Sequence, residues 1–249
     1  MNNNSSFQEV YPFTTEAISG YFPLLNFKDK EVFTVGSSLD QAFNALLMGA
    51  KNVVVYDINQ NVLPFYKLKR ECILNMEPKK MYKEIVNTKE VPISSDIFPY
   101  NSLVKMNPYM SSKEKYMLLR ERLTNEDAIK IVNGNIFSMD SLDENTKFDT
   151  MILSNILQYL EFFSNEPYEL LKTSFPKWVN HLNKDGILQF IYLYGYSAND
   201  INNNNHSIAC YNIGNVCDAL NGNILQMGSF DNLGNTDSII TYTKKRWSL

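Results

Sequence analysis

The sequence predicts an α/β protein built on a doubly wound, mostly parallel sheet of seven strands. Three observations carry that expectation. Short apolar, β-branched runs alternate with amphipathic stretches along most of the chain, which is the pattern of strands joined by crossover helices. Between Glu31 and Lys69 this becomes strand, tight turn, helix, strand, helix. The chain then closes with two apolar runs around Ile224-Leu225 and Ile239-Tyr242, parted by Gly and Asn, as an antiparallel hairpin at a sheet edge requires.

The elements follow in order. Residues 1 to 10 are polar and expected to fray. In the segment after them, Thr14 or Thr15 can cap a short helix with Ala17, Ile18, Tyr21 and Phe22 on one face. Val32 to Val35 is the first buried strand, Gly36-Ser37-Ser38 the turn, and Asn52 to Tyr56 a second strand ending on Asp57. The next helix, Asn59 to Leu74, contains Pro64; it needs a kink or a late start, because an interior proline forfeits a backbone hydrogen bond.

Residues 75 to 127 mix Lys, Met, Tyr and Pro with amphipathic stretches and no strand pattern. That is too long for a simple connection, so a helical insertion is expected there. Strands resume at Ile129 to Val132, before the turn Asn133-Gly134-Asn135, and at Phe148 to Leu153, which ends on Ser154-Asn155. Tyr168 to Leu182 reads as a helix broken by Gly186, and Ile187 to Tyr192 as the fifth strand. A low-complexity loop, Asn199 to Asn205, and a helix from Ser207 to Leu220 precede the hairpin.

With 249 residues, 44% of them hydrophobic and 13% aromatic, the chain suits one domain over 1–249 with an N-terminal helical segment at 11–28. A net charge of −4 lacks the basic footprint of a nucleic-acid binder. Cys72, Cys210 and Cys217 are too few and too scattered for a disulfide framework or a zinc site. No apolar run is long enough to span a membrane and the N-terminus lacks the pattern of a signal peptide. The expectation is a cytoplasmic protein with no bound metal.

Four places could carry chemistry. The loop after the first strand, with Gly36 flanked by the small Ser37 and Ser38, lets a nucleotide approach the backbone. A dinucleotide would want further glycines for its pyrophosphate. Asp40, just beyond, is a poor neighbour for phosphate and a good one for a cation or an amine; its alternative is a solvated helix-start carboxylate. S-adenosylmethionine offers both a sulfonium and an amine. Asp57 stands about 20 residues after the turn glycine, the spacing at which a carboxylate accepts from ribose hydroxyls, with Ile58 beside it; capping the following helix is its alternative role. Asn135 with Ile136 could read an adenine edge and face, or form an ordinary turn. Ser154 and Asn155, with Gln158 and Tyr159 behind them, follow the fourth strand, where reacting groups sit in open α/β folds. Neither His181 nor His206 has an evident partner, so no general base and no other catalytic residue is nominated.

With these residues in view, the chain resembles the class I S-adenosylmethionine-dependent methyltransferases, through Gly36, Asp57, Asn135, the strand FDTMILSN, and LNKDGILQFIY. The resemblance implies a Rossmann-like S-adenosylmethionine-binding domain and methyl transfer to a small-molecule acceptor. It also implies that Gly36, Ser37, Ser38, Asp40, Asp57, Ile58, Asn135, Ile136, Ser154 and Asn155 line the cofactor. The family loop carries more glycines and usually has Asp where Asn135 stands. A narrower likeness, GSSLDQAFNALLMGA followed by VVVYDINQNVLPFYKLK, is to the 3-amino-3-carboxypropyl transferases of betaine-lipid synthesis, through Asp40-Gln41 and Leu68-Lys69. It implies the same cofactor and a different transferred group. A single-glycine loop also fits a binding module that has kept the fold and lost the reaction.

Overall fold

The computed structural model describes residues 8–191, 225–232 and 235–244. The expected loop at 199–205, the helix at 207–220, His206, Cys210 and Cys217 lie outside them. The chain divides into two compact units, Met1–Ile136 and Phe137–Leu249.

The first unit holds three strands, β1 (Glu31–Val35), β2 (Asn52–Asp57) and β3 (Ile129–Asn133), in the order β3-β2-β1. All pair in parallel, Val32 opposite Val53 and Val55 opposite Ile131. Parallel strands covered on both faces want nearly continuous apolar runs, and Val32, Phe33, Val53, Val55 and Tyr56 are buried.

Helix α1 is a single turn (Ile18–Tyr21). Neither threonine caps it: Ala17 is the N-cap, and the Thr14 hydroxyl instead accepts the Glu16 amide at 3.0 Å. The expected apolar face is present, with Ala17, Ile18, Tyr21 and Phe22 all buried. Helix α2 (Asp40–Leu47) is buried at every position, although Asp40, Gln41 and Asn44 are polar. Those three must therefore find partners inside the protein. Helix α3 (Val62–Asn75) starts late, which puts Pro64 in its first turn, where the missing amide has no helical acceptor to lose. Its buried stripe is Val62, Phe65, Tyr66, Lys69, Cys72 and Ile73, the spacing of one helical face, with a lysine in the middle of it.

The stretch from 75 to 127 is helical: α4 (Pro78–Val86), α5 (Tyr100–Met106) and α6 (Lys113–Arg122), the last capped by Ser112, which accepts the Lys115 amide. It also makes one short β-contact. Val10 donates to the Pro92 carbonyl at 3.0 Å and accepts from the Ser94 amide at 2.8 Å, forming an isolated parallel bridge with Ile93. Residues 8 to 10 are thus pinned where fraying was expected.

The second unit contains β4 (Phe148–Ile152), α7 (Leu160–Phe163), α8 (Pro167–Asn180), β5 (Leu182–Ile191), β6 (Leu225–Asn232) and β7 (Asn235–Thr243), with strand order β4-β5-β7-β6. β4 and β5 are parallel, and β7 runs antiparallel to both β5 and β6. The seven strands, their mostly parallel pairing and the C-terminal hairpin agree with the expected α/β, Rossmann-like class.

Gly186 does not end a helix. α8 stops at Asn180, and β5 begins at Leu182 and runs through Gly186. As β4 advances from Phe148 to Thr150, its partner jumps from Leu182 to Ile187, so residues 183 to 186 form a bulge. Asp185 takes φ +63° there, and a Cβ on Gly186 would lie 2.8 Å from the Asn183 carbonyl oxygen. His181, for which the sequence offers no evident partner, is buried, with Nδ1 2.8 Å from the Thr146 carbonyl oxygen.

Among the described residues no helix is long and apolar enough to cross a membrane. None of them form a group of three or more His, Cys, Asp or Glu able to hold a metal.

Candidate functional site

The carboxyl ends of β1, β2 and β3 form one edge of the first unit, and Asp57 stands at its centre. The β2 register brings Asp57 beside Asn133 of β3, and Tyr56 beside Val35 of β1. The carboxylate is shared between two loops: Oδ2 accepts the Ser37 amide at 2.9 Å and Oδ1 the Asn59 amide at 2.8 Å. Asp57 thus caps the turn before α3 and also tethers the β1 loop. The side chain is half-buried. Burial pushes its carboxyl above the usual range, and the surrounding backbone amides pull back against that rise.

Gly36 is small because Asp57 leaves no room. A Cβ at Gly36 would fall 2.7 Å from both Cβ and Oδ2 of Asp57. Ser37 is exposed. Ile58 keeps 37% of its surface exposed, unusual for isoleucine, directly after the carboxylate. The third strand locks this edge: the Asn133 amide group donates to the carbonyls of Asp57 (2.9 Å) and Ile58 (3.0 Å), and the Gly134 amide also donates to Asp57 O. Asn135 is half-buried and Ile136 buried just beyond it.

Asp40 and Ser38 turn inward. Asp40 is fully buried, and the cation expected beside it belongs to the chain itself: Lys69 Nζ lies 2.7 Å from Oδ1. Tyr109 donates to the same oxygen at 2.8 Å, and the Thr14 amide to Oδ2 at 2.7 Å. Ser38 is buried; its carbonyl accepts from Lys69 and its hydroxyl from the Asp40 amide. The part of the loop that meets solvent is Ser37.

A buried ion pair is stable only when its remaining hydrogen-bond capacity is filled. Lys69 meets that condition, since its three ammonium donors reach Asp40 Oδ1 (2.7 Å), Ser38 O (2.8 Å) and Pro12 O (2.8 Å). The ammonium also sits 4.3 Å from the centre of the Phe13 ring, an attractive placement. Burial drives its pKa down and Asp40 opposes that. Phe13 stacks on Tyr82, and Phe13, Tyr21 and Phe22 are buried, so these N-terminal aromatics serve packing rather than an open lid.

The polar cluster continues through α2. Gln41 donates to Glu16 Oε2 at 2.7 Å and accepts from the Thr34 hydroxyl, while Tyr21 donates to Glu16. Asn44 donates to Asn107 and accepts the Tyr109 amide. The sequence points to Thr14 only as a helix cap, to Asn133 only as a turn residue and to Lys69 only in the narrower likeness, and does not single out Glu16 or Tyr109. Lys69 had a visible signal, a lysine in the apolar stripe of α3, because a buried ammonium must meet a carboxylate.

Ser154 and Asn155 belong to the second unit. Ser154 follows β4 with φ +50° and accepts the Ile191 amide on its carbonyl, and Asn155 donates to Gln158 at 3.2 Å.

No protein-family profile matches this chain, and no curated protein does either. Among solved structures it is similar to several methyltransferases. One is the N-methyltransferase NodS from Bradyrhizobium japonicum WM9 in complex with S-adenosyl-L-homocysteine (11% identity, 91% of this chain and 86% of that one, TM-score 0.48). Another is a TehB-like SAM-dependent methyltransferase from Corynebacterium glutamicum (12% identity, 95% and 89%, TM-score 0.45). A third is the magnesium protoporphyrin IX methyltransferase ChlM from Synechocystis PCC 6803 with bound SAM (12% identity, 88% and 72%, TM-score 0.45).

Proposed function

We propose that this protein is an S-adenosylmethionine-dependent transferase that methylates a small or medium-sized acceptor. The observation that carries the reading is Asp57: a partly buried carboxylate at the carboxyl end of β2, held by the Ser37 and Asn59 amides. Its two oxygens are acceptors, the type of group that the two hydroxyls of a ribose require, and backbone amides from both neighbouring loops hold them in place. Ile58 offers an exposed apolar surface beside it for the adenine face, and Asn135 a polar group for the adenine edge. Ser37 is the loop residue available to the cofactor, and Gly36 keeps the loop close to Asp57. Ser38, Asp40 and Ile136 support this edge from inside. Ser154 and Asn155 are candidates on the carboxyl edge of the second unit.

The reaction is displacement at the carbon activated by the sulfonium. What the protein supplies is alignment of the acceptor nucleophile with the breaking bond and exclusion of water. Orientation of that kind lowers a barrier by ~7–11 kcal/mol, which is why the chemistry needs no distinctive catalytic side chain.

A second reading keeps the cofactor and transfers its 3-amino-3-carboxypropyl group. It rests on the narrower sequence likeness, whose residues Asp40 and Lys69 pair with each other while Gln41 bonds to Glu16.

The deciding experiment is isothermal titration with S-adenosylmethionine and S-adenosylhomocysteine, then identification of the by-product with trial acceptors. Micromolar binding is expected, and S-adenosylhomocysteine as the product. Methylthioadenosine would move the assignment to the second reading. Absence of heat and of thermal shift with both ligands would reject both and leave a non-catalytic module.

A further inference from the structure

The N-terminal segment crosses the candidate site edge as a strap and is fastened at both sides of it. At the β2 side, Asn61 donates to the Gln8 carbonyl at 2.7 Å and Asn59 to the Glu9 carbonyl at 2.9 Å. Asn59 is also the residue whose amide meets the Asp57 carboxylate. At the β1 side, Lys69 donates to the Pro12 carbonyl and to the Ser38 carbonyl, and the Thr14 amide donates to Asp40. Between the two fastenings, Val10 bridges to Ile93.

Lys69 holds strap and loop with the same atom. Its nitrogen sits between Pro12 O and Ser38 O at 2.8 Å from each, and its charge is balanced by Asp40. A core that needed only volume at this position would be served by methionine, at no cost in desolvation. The ammonium adds a fixed spacing between two backbone segments, one of which carries Ser37 and the site glycine.

We infer that Lys69 is a positioning residue of the nucleotide site, latching the strap of residues 8–14 onto the Ser38 end of the loop so that strap closure and cofactor binding are coupled. The inference rests on the nucleotide reading given above. Lys69 touches no ligand in this role; it acts through the loop and the strap. Coupling is reciprocal, so cofactor must also hold the strap closed.

The test uses the full chain with Asp40→Asn and Lys69→Met together, which removes both charges and leaves no orphaned ion. Two quantities are read: hydrogen exchange without ligand at the Val10 amide, whose acceptor Pro92 O neither substitution touches, and the Kd for S-adenosylhomocysteine. The double variant should remain folded by circular dichroism, exchange Val10 about tenfold faster and bind about tenfold more weakly, within the usual range of such coupling. Wild-type affinity in the folded variant overturns the inference, and so does weakened affinity with Val10 exchange unchanged. Should the variant fail to fold, the wild-type protein decides: S-adenosylhomocysteine must slow exchange at Val10 and Thr14, and unchanged rates overturn the latch. A wild-type protein that binds no S-adenosylhomocysteine removes the nucleotide reading itself. Wild-type binding with an indifferent variant removes the latch alone.

Discussion

Gly36 lies so close to Asp57 that a Cβ on the glycine would sit 2.7 Å from the aspartate Cβ and from its Oδ2. The glycine after β1 is thus required first by the protein's own carboxylate. Any ligand that enters meets a loop already drawn against Asp57 by the Ser37 amide.

Gly36→Ala should therefore act on stability and binding together. The extra methyl forces the loop or Asp57 to move, and overpacking of this kind costs ~1–3 kcal/mol. Urea denaturation should show that loss, and titration should show weaker S-adenosylhomocysteine binding. An alanine variant as stable and as tight as wild type would mean the loop yields freely and that the contact is incidental.

Asp57 predicts a pH dependence whose sign follows from its burial. Burial raises its carboxyl in the free protein, whereas ribose hydroxyls donate to the ionised form and favour it. Affinity for S-adenosylhomocysteine should rise with pH as Asp57 ionises and level off above that point; Asp57→Asn should bind more weakly and lose the rise. Stability runs the other way. A carboxyl whose folded pKa is raised contributes most below its unfolded value and loses that contribution as pH climbs through the folded one. The stability difference between wild type and Asp57→Asn, measured across the acidic range, should shift toward the variant as pH rises.

Cys72 supplies a prediction remote from the site. It is a buried free thiol on α3, and burial, with help from Glu84, Glu71 and Glu90, pushes its pKa up from 9.0 to about 11. Its contribution to stability is complete below pH 9 and fades as pH rises through about 11. At ~1.4 kcal/mol per unit, the advantage of wild type over Cys72→Ala should shrink by about 3 kcal/mol across that window. Alkylation of the folded protein near neutral pH should spare Cys72, as peptide mapping would show; rapid modification there would contradict the buried assignment.

How much of this was legible in the sequence varies with what each feature depends on. β1, the Gly36 turn, β2 and Asp57 were readable because a buried parallel strand needs a continuous apolar run and because the turn is local. The late start of α3 was readable from Pro64, whose ring has one comfortable place in a helix. The early start of β5 was not: Gly186 resembles a helix stop, and only pairing with β4 and the hydrogen bonds between Asp185, Gly186 and Lys244 make it a bulge inside a strand. Asp40 was half legible. Its preference for a cation was correct electrostatics, but the partner lies on another helix, so local spacing could not name it. The strap was illegible for a different reason. It is held through the carbonyls of Gln8, Glu9 and Pro12, and a backbone carbonyl is the same in every residue.

The strap also sets an order of events. Its anchors, Asn59, Asn61, Lys69 and the Pro92–Ser94 bridge, are all made later by the ribosome than the residues they hold. The Val10 bridge cannot form until the chain has grown past Ser94, and contacts between segments far apart in sequence are slow to form. Residues 8–14 are thus among the last parts of their unit to be put away.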